Sequence, residues 1–270
     1  MCPLRTKTYY SLDFICHSSY NYSKGRKHEE TKTFGLTLGV VCLAIIVVAG
    51  LVALLRPNDR VDSCENTNQS AILSALPKPE KSEGVRGEFG IDKNINETTI
   101  DNYLHRPDAV YRDMRMLKDP GNYEAIGGDS YLSGFVDGFE AVPLPYIVNV
   151  SGLPDEVGAT YTGKTLFTHD GKGNYHANYI ESLPILESLF PKDKTIFLMC
   201  GGGGYAGMTK DMLVALGWDS DKIYNVGGYW NYEGENNVEV KTTRNGQTVY
   251  DFWKVPYHNI DFNTLHEQKS

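Results

Sequence analysis

Hydrophobic positions along this chain change their pattern three times. From Phe34 to Leu55 there are 22 residues without a charged side chain. That length crosses a hydrocarbon core of about 30 Å at ~1.5 Å per helical residue. Core helices and signal-peptide apolar regions are usually shorter, and a signal peptide rarely follows a tail of 33 residues. The segment reads as one transmembrane helix. Residues 56–101 are mostly polar, with Pro77, Pro79, scattered glycine and a brief apolar patch from Ala71 to Leu76. They read as a spacer lifting a domain off the bilayer.

From about Asn102 the apolar runs become short and alternate in kind, which predicts an α/β fold. Ala109 to Arg115 reads as a strand and its exit, and Phe139 to Val150 as a strand-like run broken by Pro143 and Pro145. Asn178 to Phe190 has Tyr179, Ile180, Leu183, Leu186 and Leu189 at helical spacing, and Pro191 stops it. Thr195 to Met199 is a continuous apolar run of the kind buried on both faces of a parallel sheet. Ala206 to Leu216 predicts a helix with Met208, Met212, Leu213 and Leu216 inward and Gly217 at its cap. Ile223 to Val226 is the next strand, closed by Gly227-Gly228. Strand, glycine loop, helix and strand make a βαβ unit, whose ligands sit at the carboxyl ends of the strands. Val238–Thr243 and Thr248–Trp253 alternate around Asn245-Gly246, which predicts a C-terminal β-hairpin packed on the domain or over its site.

Charge gives the chain an orientation. Residues 1–33 hold six Lys/Arg against three acids, so the tail reads as cytoplasmic and the C-terminal portion as exported. The whole chain carries −8 and the tail +3, leaving −11 on residues 56–270. Such an ectodomain is a poor partner for nucleic acid or anionic lipid. Five cysteines do not make a disulfide framework, because Cys2, Cys16 and Cys42 precede the spacer. Cys64 in the spacer reads as an incidental thiol, with a resolving partner for Cys200 as the alternative. His169 and His176 read as loop histidines; no metal-ligand spacing, Walker A or dinucleotide fingerprint occurs, so no metal or cofactor is expected. The triplets beginning at Asn68, Asn96 and Asn149 match the glycosylation acceptor, a pattern frequent by chance.

One stretch carries the chemistry. Cys200 ends the apolar strand, Gly201, Gly202, Gly203 and Gly204 follow, and the helical pattern starts behind Tyr205-Ala206. Four consecutive glycines maximise the entropy lost on folding, so packing alone does not ask for them. They suit a backbone that curls tightly and aims several N–H groups at one sulfur, with a helix N-terminus behind it. That field would favour the thiolate.

The order of motifs resembles the rhodanese-like domain family. Asp113-Met114-Arg115 is similar to the Asp-x-Arg that ends the family's first strand. Gly134-Phe135-Val136-Asp137-Gly138-Phe139-Glu140-Ala141-Val142-Pro143 is similar to its Gly-His-Ile-x-Gly-Ala stretch, with Phe135 in the histidine's place. Cys200 to Ala206 is similar to its Cys-x-x-Gly-x-Arg loop, and Val226-Gly227-Gly228-Tyr229-Trp230 to its closing strand. The resemblance spans roughly residues 105–235. It implies a parallel sheet flanked by helices and a persulfide on Cys200. Sulfur would come from a small donor and go to a thiol or other nucleophilic acceptor, while the amides of residues 201–206 hold the terminal sulfur. Asp113, Arg115 and Trp230 would support that site, although a salt bridge and a core role are their simpler readings.

The chain is thereby divided into a tail (1–33), a membrane helix (34–55), a spacer (56–101), a rhodanese-like domain (102–235) and a hairpin extension (236–270). Tyr205 stands where the family has arginine, so the cationic grip on an anionic donor is missing from the loop. A tyrosine there can donate a hydrogen bond or stack over a less charged donor. Two functional readings follow: a membrane-anchored sulfurtransferase, or a non-catalytic module that binds a partner or a small sulfur ligand. Phosphatase or arsenate-reductase chemistry fits poorly, because it needs the loop arginine.

Overall fold

Three apolar runs and one short strand assemble into a parallel sheet. The computed structural model describes residues 74–82, 87–119, 121, 123, 127–149 and 161–269. The tail, the apolar segment 34–55, the first part of the spacer, and Cys2, Cys16, Cys42, Cys64 and Asn68 lie outside the described residues. No helix among the described residues is long and apolar enough to cross a membrane. The strands are β1 (Ala109–Asp113), β2 (Gly134–Val136), β3 (Glu140–Ala141), β4 (Phe167–His169), β5 (Tyr175–Ala177), β6 (Thr195–Cys200), β7 (Ile223–Gly228), β8 (Asn237–Glu239), β9 (Lys241–Arg244) and β10 (Gln247–Tyr250). Helices α1 (Leu144–Ile147), α2 (Ser182–Leu189) and α3 (Gly204–Ala215) lie between them.

The central sheet has the order β3-β1-β6-β7, all parallel. β6 shows why a continuous apolar run is needed there, since its side chains alternate between two cores. Ile196, Leu198 and Cys200 join Leu144, Leu186, Met212 and Leu213 on the helical side. Phe197 and Met199 join Tyr111, Phe139, Tyr224 and Val226 on the other. Ile95 and Ile100 close that second core, both fully buried. The described residues between 74 and 101 therefore pack along the sheet. Asp92 N–H reaches Asn225 O at 2.7 Å alongside β7, and Tyr224 donates to Pro77 O at 2.6 Å.

Three elements differ from their expectation. Of the run expected at 139–150, the described residues 139–149 hold the two-residue β3 and then turn into α1, where Pro145 sits in the first turn and loses no helical bond. The helix expected from Asn178 begins at Ser182, because Ile180 N–H bonds His266 O and Tyr179 pairs with Glu267. That leaves Ile180 64% and Leu183 42% exposed, off the expected buried face. The hairpin is confined to β9 and β10 around Asn245-Gly246, both at positive φ as its two-residue turn demands. The preceding residues Asn237–Glu239 pair instead with β2. The hairpin end packs into a third core of Leu132, Phe135, Val240 and Val255.

Candidate functional site

Cys200 stands at the carboxyl edge of the sheet, where β1, β6 and β7 all end. Its neighbours in register are the end of β1, through Asp113 opposite Met199, and Gly228 of β7. The β6–β7 register shifts between Leu198 and Cys200, an irregularity of the sort that re-aims a side chain beside a site. Gly228 approaches the loop so closely that a Cβ on it would lie 2.2 Å from Gly201 O.

The glycine run divides by role. Gly203 adopts φ +85°, and a Cβ there would meet Ile91 at 3.0 Å. Gly201 lies under Trp230, with a Cβ position 2.4 Å from its ring. A Cβ on Gly202 would make only ordinary contact, and one on Gly204 would meet nothing within 4 Å. Two of the four glycines are thus demanded by shape. Asn225, fully buried in β7, fixes the turn: its Nδ2 donates to Gly203 O at 3.1 Å and its Oδ1 accepts from Gly227 N–H at 3.0 Å.

This curl brings amides to the sulfur. Gly203 N–H donates to Sγ at 3.1 Å, and the amides of Gly202 and Ala206 also stabilise its charged form. Cys200 is only 3% exposed, however, and burial outweighs those amides. The thiol is pushed above its ordinary value, with Asp113 adding a smaller push in the same direction. The expected thiolate is therefore not the resting form: the donors are present, but removal of water wins.

Tyr205 is buried and faces away from solvent. Its hydroxyl donates to Asp119 Oδ2 at 2.8 Å and shares a 2.7 Å bond with the Tyr123 hydroxyl. Burial pushes both phenols well above the ordinary range. The position that carries arginine in the resemblance thus ties the loop to Asp119 and Tyr123. Asp113 and Arg115 form a buried ion pair, with Arg115 Nε at 2.9 Å from Asp113 Oδ1 and Nη2 on Gly134 O at 2.7 Å. The guanidinium also stacks on Tyr229 at 4.4 Å. Their simpler reading, a structural salt bridge, accounts for these contacts. Trp230 lies over the loop and beside Tyr123, their rings 5.5 Å apart.

The structure thus gathers Cys200, the loop 201–206, Asp113 and Trp230, with Arg115 one step behind. Sequence reasoning missed Asp119, Tyr123, Gly128 and Asn225. Only Asn225 had a local signal, as a lone amide inside a buried strand; the others come from a polar stretch with no periodicity. His169 and His176 lie on the β4–β5 hairpin, where His169 stacks on Tyr175. Among the described residues no three His, Cys, Asp or Glu side chains gather as metal ligands. No protein-family model matches the chain, and no curated protein or solved structure matches it.

Proposed function

We propose that Cys200 is the sulfur carrier of a rhodanese-like sulfurtransferase, anchored through the apolar segment 34–55 with its tail cytoplasmic and its domain exported. The observation that carries this reading is the convergence of the Gly202, Gly203 and Ala206 amides on one sulfur at the end of a parallel sheet. Amides placed so are neutral donors that stabilise negative charge without a counter-ion. A persulfide is more acidic than the thiol from which it forms, so the same cup suits the loaded cysteine better than the resting one. The test is to incubate the full chain with organic persulfides and weigh it. Gain of one sulfur atom on Cys200, released by an acceptor thiol and abolished in Cys200→Ser, is the expected result. Failure of every donor to load the residue would remove the reading.

A second reading, a non-catalytic module binding a partner or small sulfur ligand, is favoured by one observation. The resting sulfur is buried, Trp230 packs on the adjacent Gly201, and burial pushes the thiol above its ordinary value. Ligand binding that survives Cys200→Ser unchanged would support this module over the enzyme.

A further inference from the structure

A cleft of about 880 Å³ opens beside the thiol loop, with Trp230 in its wall. The same indole lies against both Gly201 and Gly128 through its benzo carbons Cζ2 and Cη2, and a Cβ on Gly128 would stand 2.3 Å from Cη2. Trp230 is thus clamped between two main-chain segments that carry no side chain. Its backbone N–H is bonded to Gly201 O at 3.0 Å, but its buried Nε1–H has no acceptor among the described residues. The ring stands between the cleft and the residues that follow Cys200.

The lining of the cleft says what it would accept. Five of its residues are aromatic: Tyr131, Tyr229, Trp230, Tyr232 and Tyr250. Among its charged members, Lys241 is paired with Asp129 at 3.3 Å, which leaves the exposed Glu233 unbalanced. Arg115 lies behind Tyr229, and its charge is taken by Asp113. A small inorganic anion therefore finds no free cation among the lining residues. Aromatic faces attract cations and stack on uncharged groups, and the volume matches pockets for organic molecules.

Resting on the sulfur-transfer reading, we infer that this cleft receives the sulfur partner of Cys200 and that Trp230 is the gate between them. That partner is a neutral or cationic organic thiol or persulfide, not an inorganic anion such as thiosulfate. In the loading step a bond forms between Cys200 Sγ and the outer sulfur of the persulfide as the donor's S–S bond breaks. The bonding pair leaves on the donor's inner sulfur, which takes up the proton that Cys200 gives up. One persulfide and one thiol become one thiol and one persulfide, with no oxidant or reductant.

The test uses the full chain and two methanethiosulfonate reagents of matched size, one ending in trimethylammonium and one in sulfonate. The rate at Cys200 is followed by peptide mapping. Relative to the ratio of their rates with a small free thiol, the cationic reagent is expected to be favoured about tenfold more at Cys200, the order of effect one unbalanced carboxylate gives at short range. Glu233→Gln, an exposed change that leaves the fold alone, brings the ratio toward the free-thiol value, and Trp230→Ala raises both rates. A ratio no larger than with the free thiol, a ratio unmoved by Glu233→Gln, or rates unmoved by Trp230→Ala would each overturn the assignment. Sulfur loading from persulfides is scored separately. Its failure with the charge preference intact would sink the sulfur-transfer reading and leave the cleft and gate standing.

Discussion

At Cys200 three amides favour the thiolate, while burial and the nearby Asp113 carboxylate oppose it. Burial prevails because a charge taken out of water loses more than a few neutral donors return. The consequence is a pH dependence of stability. Unfolded, the thiol titrates near 9.0; folded, it titrates higher and so holds its proton more tightly. The stability it contributes is fully present below the unfolded value and is lost as pH rises through the folded one. Cys200→Ala is expected to make the alkaline decline shallower, by up to about 1.4 kcal/mol per pH unit. Denaturant unfolding of both proteins from about pH 7 to about pH 10 reads this slope. The raised phenols of Tyr123 and Tyr205 titrate in both proteins, so they leave the difference intact. Identical slopes would mean that the sulfur is better solvated than its 3% exposure implies.

The loop, helix and strand around that sulfur were legible where chain chemistry is local. β6 announced itself as an apolar run, β7 as an apolar run ended by glycines, and α3 by its spacing. The cap of α3 follows as expected, with Gly217 N–H on Val214 O and Trp218 N–H on Leu213 O, both at 3.0 Å. What stayed hidden depends on pairing between distant residues. Val238 alternates like a hairpin residue, yet β2 captures its strand. Residues 179–180 look helical, yet the segment near His266 holds them outside the helix. The glycine run was legible as a unit but not by member. Gly203→Ala must adopt a left-handed backbone against Ile91 and Gly227, and is expected to cost about 1–2 kcal/mol. Gly204→Ala meets open space at the start of α3 and should be neutral or stabilising by up to ~1 kcal/mol. Paired denaturation curves decide this; equal costs for the two would mean that the turn is not set by Gly203.

At the scale of the whole molecule, the stretch before β1 was the largest surprise, because its low apolar content conceals how it is organised. One carboxylate does much of the work: Asp92 accepts from the amides of Asn94 and Ile95 through Oδ1 and from Glu80 through Oδ2, each within 2.9 Å. That replaces regular secondary structure with a turn tied to its own side chain. It delivers Ile95 and Ile100 to the sheet, and the Asp92 amide bonds outside β7, so the edge strand is covered. The floor beneath the thiol loop is therefore built partly by residues well before the first strand. Ile100→Ala is expected to destabilise the full chain by about 2–5 kcal/mol, the cost of a cavity in a close-packed core. Lys93→Ala, which removes only an exposed pairing with Glu80, should change stability by less than about 1 kcal/mol. Were residues 74–101 a solvated tether, both substitutions would be silent, so a thermal or denaturant comparison of the pair separates the two pictures. A large loss confined to Ile100→Ala ties this segment to the sheet that carries Cys200.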